Sequence, residues 1–391
     1  MEKSDKMRKE PLLISLSQSS RTFILSTIAV SSPYFLSSKG LDPIQISVIV
    51  LFSLALSTFF LYLYTIINLG IKQKLLLLSF LFSTALFILL YFQSVFAFIV
   101  SIIIGGISLG GRDFATNQSL EKYTISTYTE VQKEKNFLFS IYNFLSYGSG
   151  AVASTFLFLI PQDSFLLIFE VIFLISLIQI AIYLILEFPE MPVKDGKKER
   201  INEVNVKVKK DIFTLSALFS LDALGGGLVN SSIISLWFDV VYHTTLSQTG
   251  FIFIIVNIIT AFSVIISSFI SGSIGLVKTM VYTHLISNVF LFMVPVFHLL
   301  PLSEIFLFLR QSTSQMDVPA RDSFINSYFS KEDRIRANSS FLAARNGGQI
   351  PGPGLAGIFL EVFPAGVFMA GAAIKISYDI LFFIKYRHYR T

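Results

Sequence analysis

The chain has 391 residues, of which 53% are hydrophobic and 14% charged, where an ordinary soluble domain carries about 25% charged residues. A surface this poor in polar groups excludes a water-soluble globular protein, so lipid is the expected solvent. No cysteine is present, which excludes disulfides, thiolate metal sites and cysteine nucleophiles, and the net charge of +5 resides in short loops rather than on a nucleic-acid-binding face.

A bilayer core of about 30 Å is crossed by roughly 20 apolar residues in a helix. Unpaired backbone groups rule out open strands in lipid. The hydropathy predicts spans at 12–36, 44–67, 74–92, 95–120, 136–160, 164–186, 212–241, 247–272, 279–299, 303–326, 335–361 and 364–385. Gly40, Asp42 and Pro43 end the first span and begin the second. Only Gln93 and Ser94 divide the third from the fourth. Pro161, Gln162 and Asp163 break the chain after the fifth, and Pro364 is expected to open the last as a first-turn proline. No cleavable signal peptide is expected, because no small-residue cleavage site follows the first apolar run.

Both termini are expected in the cytoplasm. That orientation places Arg8, Lys9, Lys72, Lys74, Lys122, Lys135, Lys278, Arg334, Lys385 and Arg387 inside, and leaves only Lys39 in the outer loops. The long polar stretch PEMPVKDGKKERINEVNVKVKKD reads as a cytoplasmic linker. The domain reading is therefore a tail at 1–11, a six-helix bundle at 12–187, a linker at 188–211, a second bundle at 212–386 and a tail at 387–391. The expected location is a cell (plasma) membrane.

Sliding the chain on itself by 204 residues aligns Asp113 with Asp317, Ser119 with Ser323, Phe137 with Phe341, Gly148 with Gly352 and Gly150 with Gly354. This repeat pairs the fourth span with the tenth and the fifth with the eleventh. Two halves running in the same direction require that pairing.

The segment LRQSTSQMDVPARDSFINSYFSKEDRIRANSSFLAARNGGQIPGPGLAG resembles the tenth and eleventh helices of bacterial and archaeal members of the major facilitator superfamily, including multidrug-efflux-like members. The resemblance extends over the six-span, basic-loop, six-span layout. It implies an all-α membrane fold of twelve helices in two pseudo-symmetric bundles, working by alternating access. Two departures stand out. The loops after the second and eighth spans, LYTIINLGIKQK and SSFISGSIGLVKT, keep glycines and lysines but lack the acidic residue usual there. The glycine–proline pattern associated with exporters is absent from SYGSGAVAS in the fifth span; a G-P-G run lies in the eleventh instead.

Ionisable side chains inside the membrane cost about 2.5–3.5 kcal/mol each and need partners or a water-filled cavity. The helices that the resemblance assigns to the cavity, the first, fourth, seventh and tenth, carry Arg21, Arg112, Asp113, Asp222, Arg310 and Asp317. Arg21, Asp222, Arg310, Asn230, Asn257, Gln311 and Gln315 are the candidate solute-binding residues. Asp222, Arg112, Asp113, Asp317 and Arg321 are the candidates for proton coupling or gating. The competing reading makes these charges inter-helix ties and the amides helix-to-helix hydrogen bonds. Lys375 and Asp379, four apart, are expected to neutralise each other. Gly225, Gly226 and Gly227 allow either close packing or bending, and Pro351 and Pro353 should kink the eleventh span. His284 and His298 are too far apart for a metal pair.

These features predict a secondary transporter of small organic solutes, proton-coupled and exporting amphipathic or drug-like compounds. Uptake of an organic anion or sugar is the alternative, and a non-transporting membrane sensor is a third reading. No enzyme activity, cofactor, metal or nucleic acid is expected. The expected partners are a solute, protons and lipid, and the expected state is a monomer. No phosphate-binding G-x-x-x-x-G-K-[ST] loop occurs, which argues against ATP-driven transport.

Overall fold

The computed structural model describes residues 2–111, 115–129, 131–161, 164–189 and 206–389. The expected linker therefore falls largely outside the described residues, as do Arg112 and Asp113. The first half holds α1 (Glu2–Ser38), α2 (Pro43–Ile66), α3 (Ile71–Phe92), α4 (Val95–Gly105), α5 (Ala115–Thr127), α6 (Gln132–Leu159) and α7 (Phe165–Ile185). The second holds α8 (Val206–Leu228), α9 (Ser231–Tyr242), α10 (Leu246–Ile274), α11 (Leu276–Met293), α12 (Leu300–Ser314), α13 (Asp317–Tyr328), α14 (Lys331–Gln349), α15 (Pro351–Val362) and α16 (Gly366–Tyr386). Four expected spans, the fourth, seventh, tenth and eleventh, are each split into two segments. The fourth and tenth, matched by the repeat, are both interrupted.

Among the described residues seven stretches are long and apolar enough by themselves to cross a membrane. The other expected spans fall short for visible reasons: α4 has only 11 residues, and α13 and α14 are rich in charged and polar side chains.

Local chemistry sets the breaks. Asp42 caps α2: its Oδ1 accepts from the Gln45 amide at 2.8 Å, and Gln45 Oε1 accepts from the Asp42 amide at 3.2 Å. Gln93 ends α3 in the left-handed region at φ 43, and Ser94 Oγ then caps α4 by accepting from Ala97 N. Pro351 and Pro353 follow a one-residue break after α14. Pro364 sits in the turn before α16, which begins two residues later than expected. In the first turn of α3, Lys74 Nζ donates to Tyr64 O and Lys72 Nζ to Leu184 O. These lysines satisfy carbonyls at helix C-termini, where cations are favoured.

Within the halves, α1 packs on α6 and α7, and α8 on α14 and α16. Between them, α2 meets α15 and α6 meets α10. A shift of six spans converts the first of these interfaces into the second, so the repeat's pseudo-twofold relates them. Both rely on missing side chains. A Cβ on Gly357 of α15 would lie 2.7 Å from Ser47 Cβ of α2, and one on Gly250 of α10 would lie 2.7 Å from Phe158 N.

All these contacts lie toward the ends joined by the 39–42 and 363–365 turns. There α9 also presses on α1: Ser232 Oγ donates to Ala29 O at 2.7 Å and to Leu109 O at 2.5 Å, and Ser235 Oγ donates to Val30 O at 2.6 Å. Tyr34 Oη bonds Thr244 and Thr249 at 2.8 and 2.6 Å. The halves are thus sealed at the end away from the termini.

Candidate functional site: a polar cavity between the halves

Below that seal the halves separate around a cavity of about 810 Å3. It opens toward the end carrying both termini, where its lining residues Asp322 and Leu342 are exposed. Its lining is polar. Twenty of the described lining residues are Ser, Thr, Asn or Gln, and only Phe60, Tyr147 and Phe253 are aromatic. Among the described residues most phenylalanines pack in the cores or lie on the outer faces instead.

The break in the seventh span shapes one wall. Asn230 caps α9, its Oδ1 accepting from Ile233 N at 3.0 Å while its Nδ2 donates to Gly227 O. Just before the break, a Cβ on Gly227 would lie 2.2 Å from Gln349 O, and one on Gly352 would lie 2.4 Å from Gly227 C. In this arrangement the glycines let α8 touch the backbone of the eleventh span.

Asp222, on α8, reaches the cavity and is only 5% exposed. Lys375 Nζ of α16 donates to its Oδ1 at 2.6 Å. His284 of α11 stands beside both: its Nε2 is 3.5 Å from Asp222 Oδ1 and 3.4 Å from Lys375 Nζ. The other ring nitrogen, Nδ1, lies 2.7 Å from Asp379 Oδ1, and Asn288 Nδ2 donates to Asp379 Oδ2 at 2.9 Å. Three helices thus bring two carboxylates, an ammonium and an imidazole into one buried cluster. The expected Lys375–Asp379 pair does not form. Residues four apart share a helix face, but α8 and α11 flank α16, and each supplies a better-placed partner across the gap. Sequence alone gives His284 no partner, since the carboxylates it meets are remote in the chain.

Of the predicted solute ligands, Asp222, Arg310, Asn230, Asn257, Gln311 and Gln315 line the cavity. Arg310 Nη1 donates to Gln311 Oε1 at 2.8 Å, and Gln311 Nε2 donates to Thr260 Oγ1 at 2.5 Å. Asn257 Nδ2 crosses between the halves to Ser154 Oγ at 3.1 Å. Asp317 and Arg321 also line the cavity and pair with each other at 2.8 Å, one turn apart on α13.

Arg21 is elsewhere. It is fully buried inside the first bundle, where its guanidinium forks onto Glu121 of α5: Nη1 to Oε1 at 2.9 Å and Nη2 to Oε2 at 2.5 Å. Tyr142 Oη donates to Glu121 Oε2 at 2.7 Å, and Tyr183 Oη to Oε1 at 2.6 Å. This cluster ties α1, α5, α6 and α7 together outside the cavity. The candidate gating residues Arg112 and Asp113 lie outside the described residues.

The chain superposes over nearly its whole length on solved solute transporters. One is the human organic anion transporter MFSD10 (TETRAN), with a TM-score of 0.67 and 14% identity over 96% of this chain and 99% of that one. A POT family transporter in complex with a thioalcohol-conjugated peptide gives 0.74 and 12% over 98% and 97%. The inward-open xylose transporter XylE from E. coli gives 0.72 and 13% over 96% and 95%. The fold is that of the major facilitator transporters. No protein-family model matches the chain. A curated relative, the uncharacterized membrane protein YJR124C of Saccharomyces cerevisiae, is 25% identical over 171 residues, 44% of this chain. The match spans 38% of that relative's length. The solved neighbours are transporters, and the likeness of this chain to them is one of fold.

Proposed function

We propose that the protein is a secondary active transporter that carries a small polar solute by alternating access and couples it to proton movement. The observation that carries this reading is the polar cavity, sealed at one end by contacts between the two bundles and open at the other. A rigid-body rocking of one bundle on the other would break those contacts and expose the same residues to the opposite side. The broken spans place polar backbone where it faces the cavity rather than lipid, as membrane proteins require.

The coupling site in this reading is the Asp222–Lys375–His284–Asp379 cluster. A proton gained or lost by the imidazole or by Asp222 changes the charge beside the solute, and Lys375 is close enough to exchange its carboxylate for a solute oxygen. Asp317 and Arg321 form a gating pair nearer the open end. The excess of basic residues at the end carrying the termini supports a cytoplasmic location for that end, so the described state faces inward in a plasma membrane.

Among the expected substrates, the lining favours polar solutes over amphipathic ones. Reconstituted protein in vesicles with an imposed pH gradient tests the reading. Gradient-dependent flux of a polar solute, in either direction, supports it. Specific solute binding without flux for any solute class would favour the sensor reading instead.

A further inference from the structure

The two sides of α1 differ in chemistry. Arg21 and Ser17 meet inside the first bundle, whereas Gln18, Thr22 and Ser26 line the cavity. Residues four apart share one face of a helix. These three therefore form an uncharged polar row about 12 Å long at 1.5 Å per residue. Ser146 of α6 stands beside the row and also lines the cavity.

The bonds within this group leave capacity over. Gln18 is 1% exposed. Its Nε2 donates to Ser146 Oγ at 2.5 Å and stands 3.5 Å from Thr22 Oγ1, while Thr22 Oγ1 and Ser146 Oγ share a bond of 3.1 Å. Gln18 Oε1 has no hydrogen-bond partner. One proton serves the Thr22–Ser146 bond, so the other hydroxyl of the pair keeps its proton to donate. Ser26 bonds to none of the described residues. Elsewhere on the same two helices the hydroxyls donate to the carbonyl four residues back: Thr27 to Phe23 O, Ser31 to Thr27 O, Ser149 to Leu145 O and Ser154 to Gly150 O. The cavity row stands apart from that habit.

A carboxylate only accepts and an ammonium only donates, whereas a hydroxyl does both. The row offers an acceptor at Gln18, a donor at the Thr22–Ser146 pair and a group of either kind at Ser26, which successive hydroxyls on a solute would complement. Burying an acceptor without a donor is unfavourable, and a solute O–H supplies the donor for Gln18. Toward the sealed end the second bundle adds an amide. A Cβ on Gly150, one turn beyond Ser146, would lie 3.1 Å from Asn257 Oδ1 of α10.

We infer that Gln18, Thr22, Ser26 and Ser146 form a subsite for a polyol, a solute presenting several neighbouring hydroxyl groups, with Gln18 Oε1 as an acceptor. This rests on the transport reading above and names its substrate class.

The test uses the full chain in detergent and in vesicles. The probes are xylitol, myo-inositol, glucose and gluconate, each beside a partner stripped of hydroxyls: 1,5-pentanediol, cyclohexanol, tetrahydropyran-2-methanol and hexanoate. Binding is read as saturable thermal stabilisation, which a general osmolyte effect does not give, and transport as counterflow. At least one polyol is expected to bind more tightly than its stripped partner. Gln18→Leu and Ser26→Ala should each weaken that polyol about 2- to 10-fold, the range for one neutral hydrogen bond, and together by about the product of the two. If Gln18→Leu fails to fold, Ser26→Ala serves alone, because its hydroxyl holds no other described residue. Binding of no polyol, equal binding of the stripped partner, or wild-type polyol affinity in the variants overturns the inference. Counterflow of stripped probes alone, unchanged in the variants, would overturn the subsite while leaving transport standing. Polyol binding that the variants weaken, without counterflow of any probe, would sink the transport reading and keep the subsite.

Discussion

Replacing Glu121 by Gln separates scaffold from site. Arg21 and Glu121 are both 0% exposed, and the carboxylate accepts from Arg21, Tyr142 and Tyr183. The amide keeps one acceptor oxygen and turns its other corner into a donor. A tyrosine hydroxyl or a guanidinium N–H then faces an N–H group, and the guanidinium stays buried without a counter-charge. Breaking a buried pair in this way costs about 3–5 kcal/mol. That is roughly two to four orders of magnitude in the local folding equilibrium. The assay is thermal unfolding in detergent followed by gel filtration, with counterflow measured well below the transition. Glu121→Gln and Arg21→Leu should each unfold many degrees below the wild type. The double variant Arg21→Leu with Glu121→Leu should recover much of the loss, because apolar replacement of both partners is often nearly neutral. Solute affinity in the surviving folded fraction should be unchanged. Wild-type melting of both single variants, together with loss of solute affinity, would refute the scaffold role and return Arg21 to the binding site.

Asp222→Asn should abolish proton-driven accumulation while leaving the protein folded, since the neutral amide still accepts from Lys375; wild-type accumulation would remove Asp222 from coupling. His284→Gln should flatten the pH dependence of flux more than it lowers counterflow, and an unchanged pH profile would contradict a coupling role for the imidazole. Gly352→Val should cost about 1–3 kcal/mol by forcing the eleventh span off α8, read as a lower melting temperature; an unshifted melt would contradict the close approach at Gly227. Ser232→Val with Ser235→Val removes two hydroxyl donors from the seal, the single Ser232 proton being shared between Ala29 O and Leu109 O. At about 0.5–1.5 kcal/mol each, the population should move toward opening at that end. Faster labelling of a cysteine introduced at Ser108, by a reagent added on the sealed side, would register the shift.

Much of the fold was legible because each signal was local. Hydropathy marked the spans, Asp42, Pro43, Gln93, Ser94 and Pro351 marked the breaks, and the 204-residue repeat paired the halves. The breaks within the fourth, seventh and tenth spans are not visible in hydropathy, because they fall inside continuous stretches; Gly106 in the left-handed region and the Asn230 cap show their role only once the neighbouring helices are in place. The site was legible as a set of residue types but not as a constellation. Arg21 and Arg310 look alike in sequence, each an arginine inside a stretch predicted to cross the membrane. What separates them is the direction each faces, Arg21 toward Glu121 within one bundle and Arg310 toward the gap between bundles. Likewise Lys375 and Asp379 satisfied a local pairing rule that two neighbouring helices overrode, and His284 gained its role only from residues on α8 and α16.

The central claim is that the sealed end must open for the solute to cross. Because the chain has no cysteine, a single engineered pair tests it. Ser47→Cys with Gly357→Cys places two thiols across the α2–α15 contact, where the Cβ atoms are close enough to bridge after a small shift. The account predicts that oxidation stops counterflow and that a reductant restores it in the same vesicles. Undiminished counterflow by fully cross-linked protein would contradict alternating access through this seal.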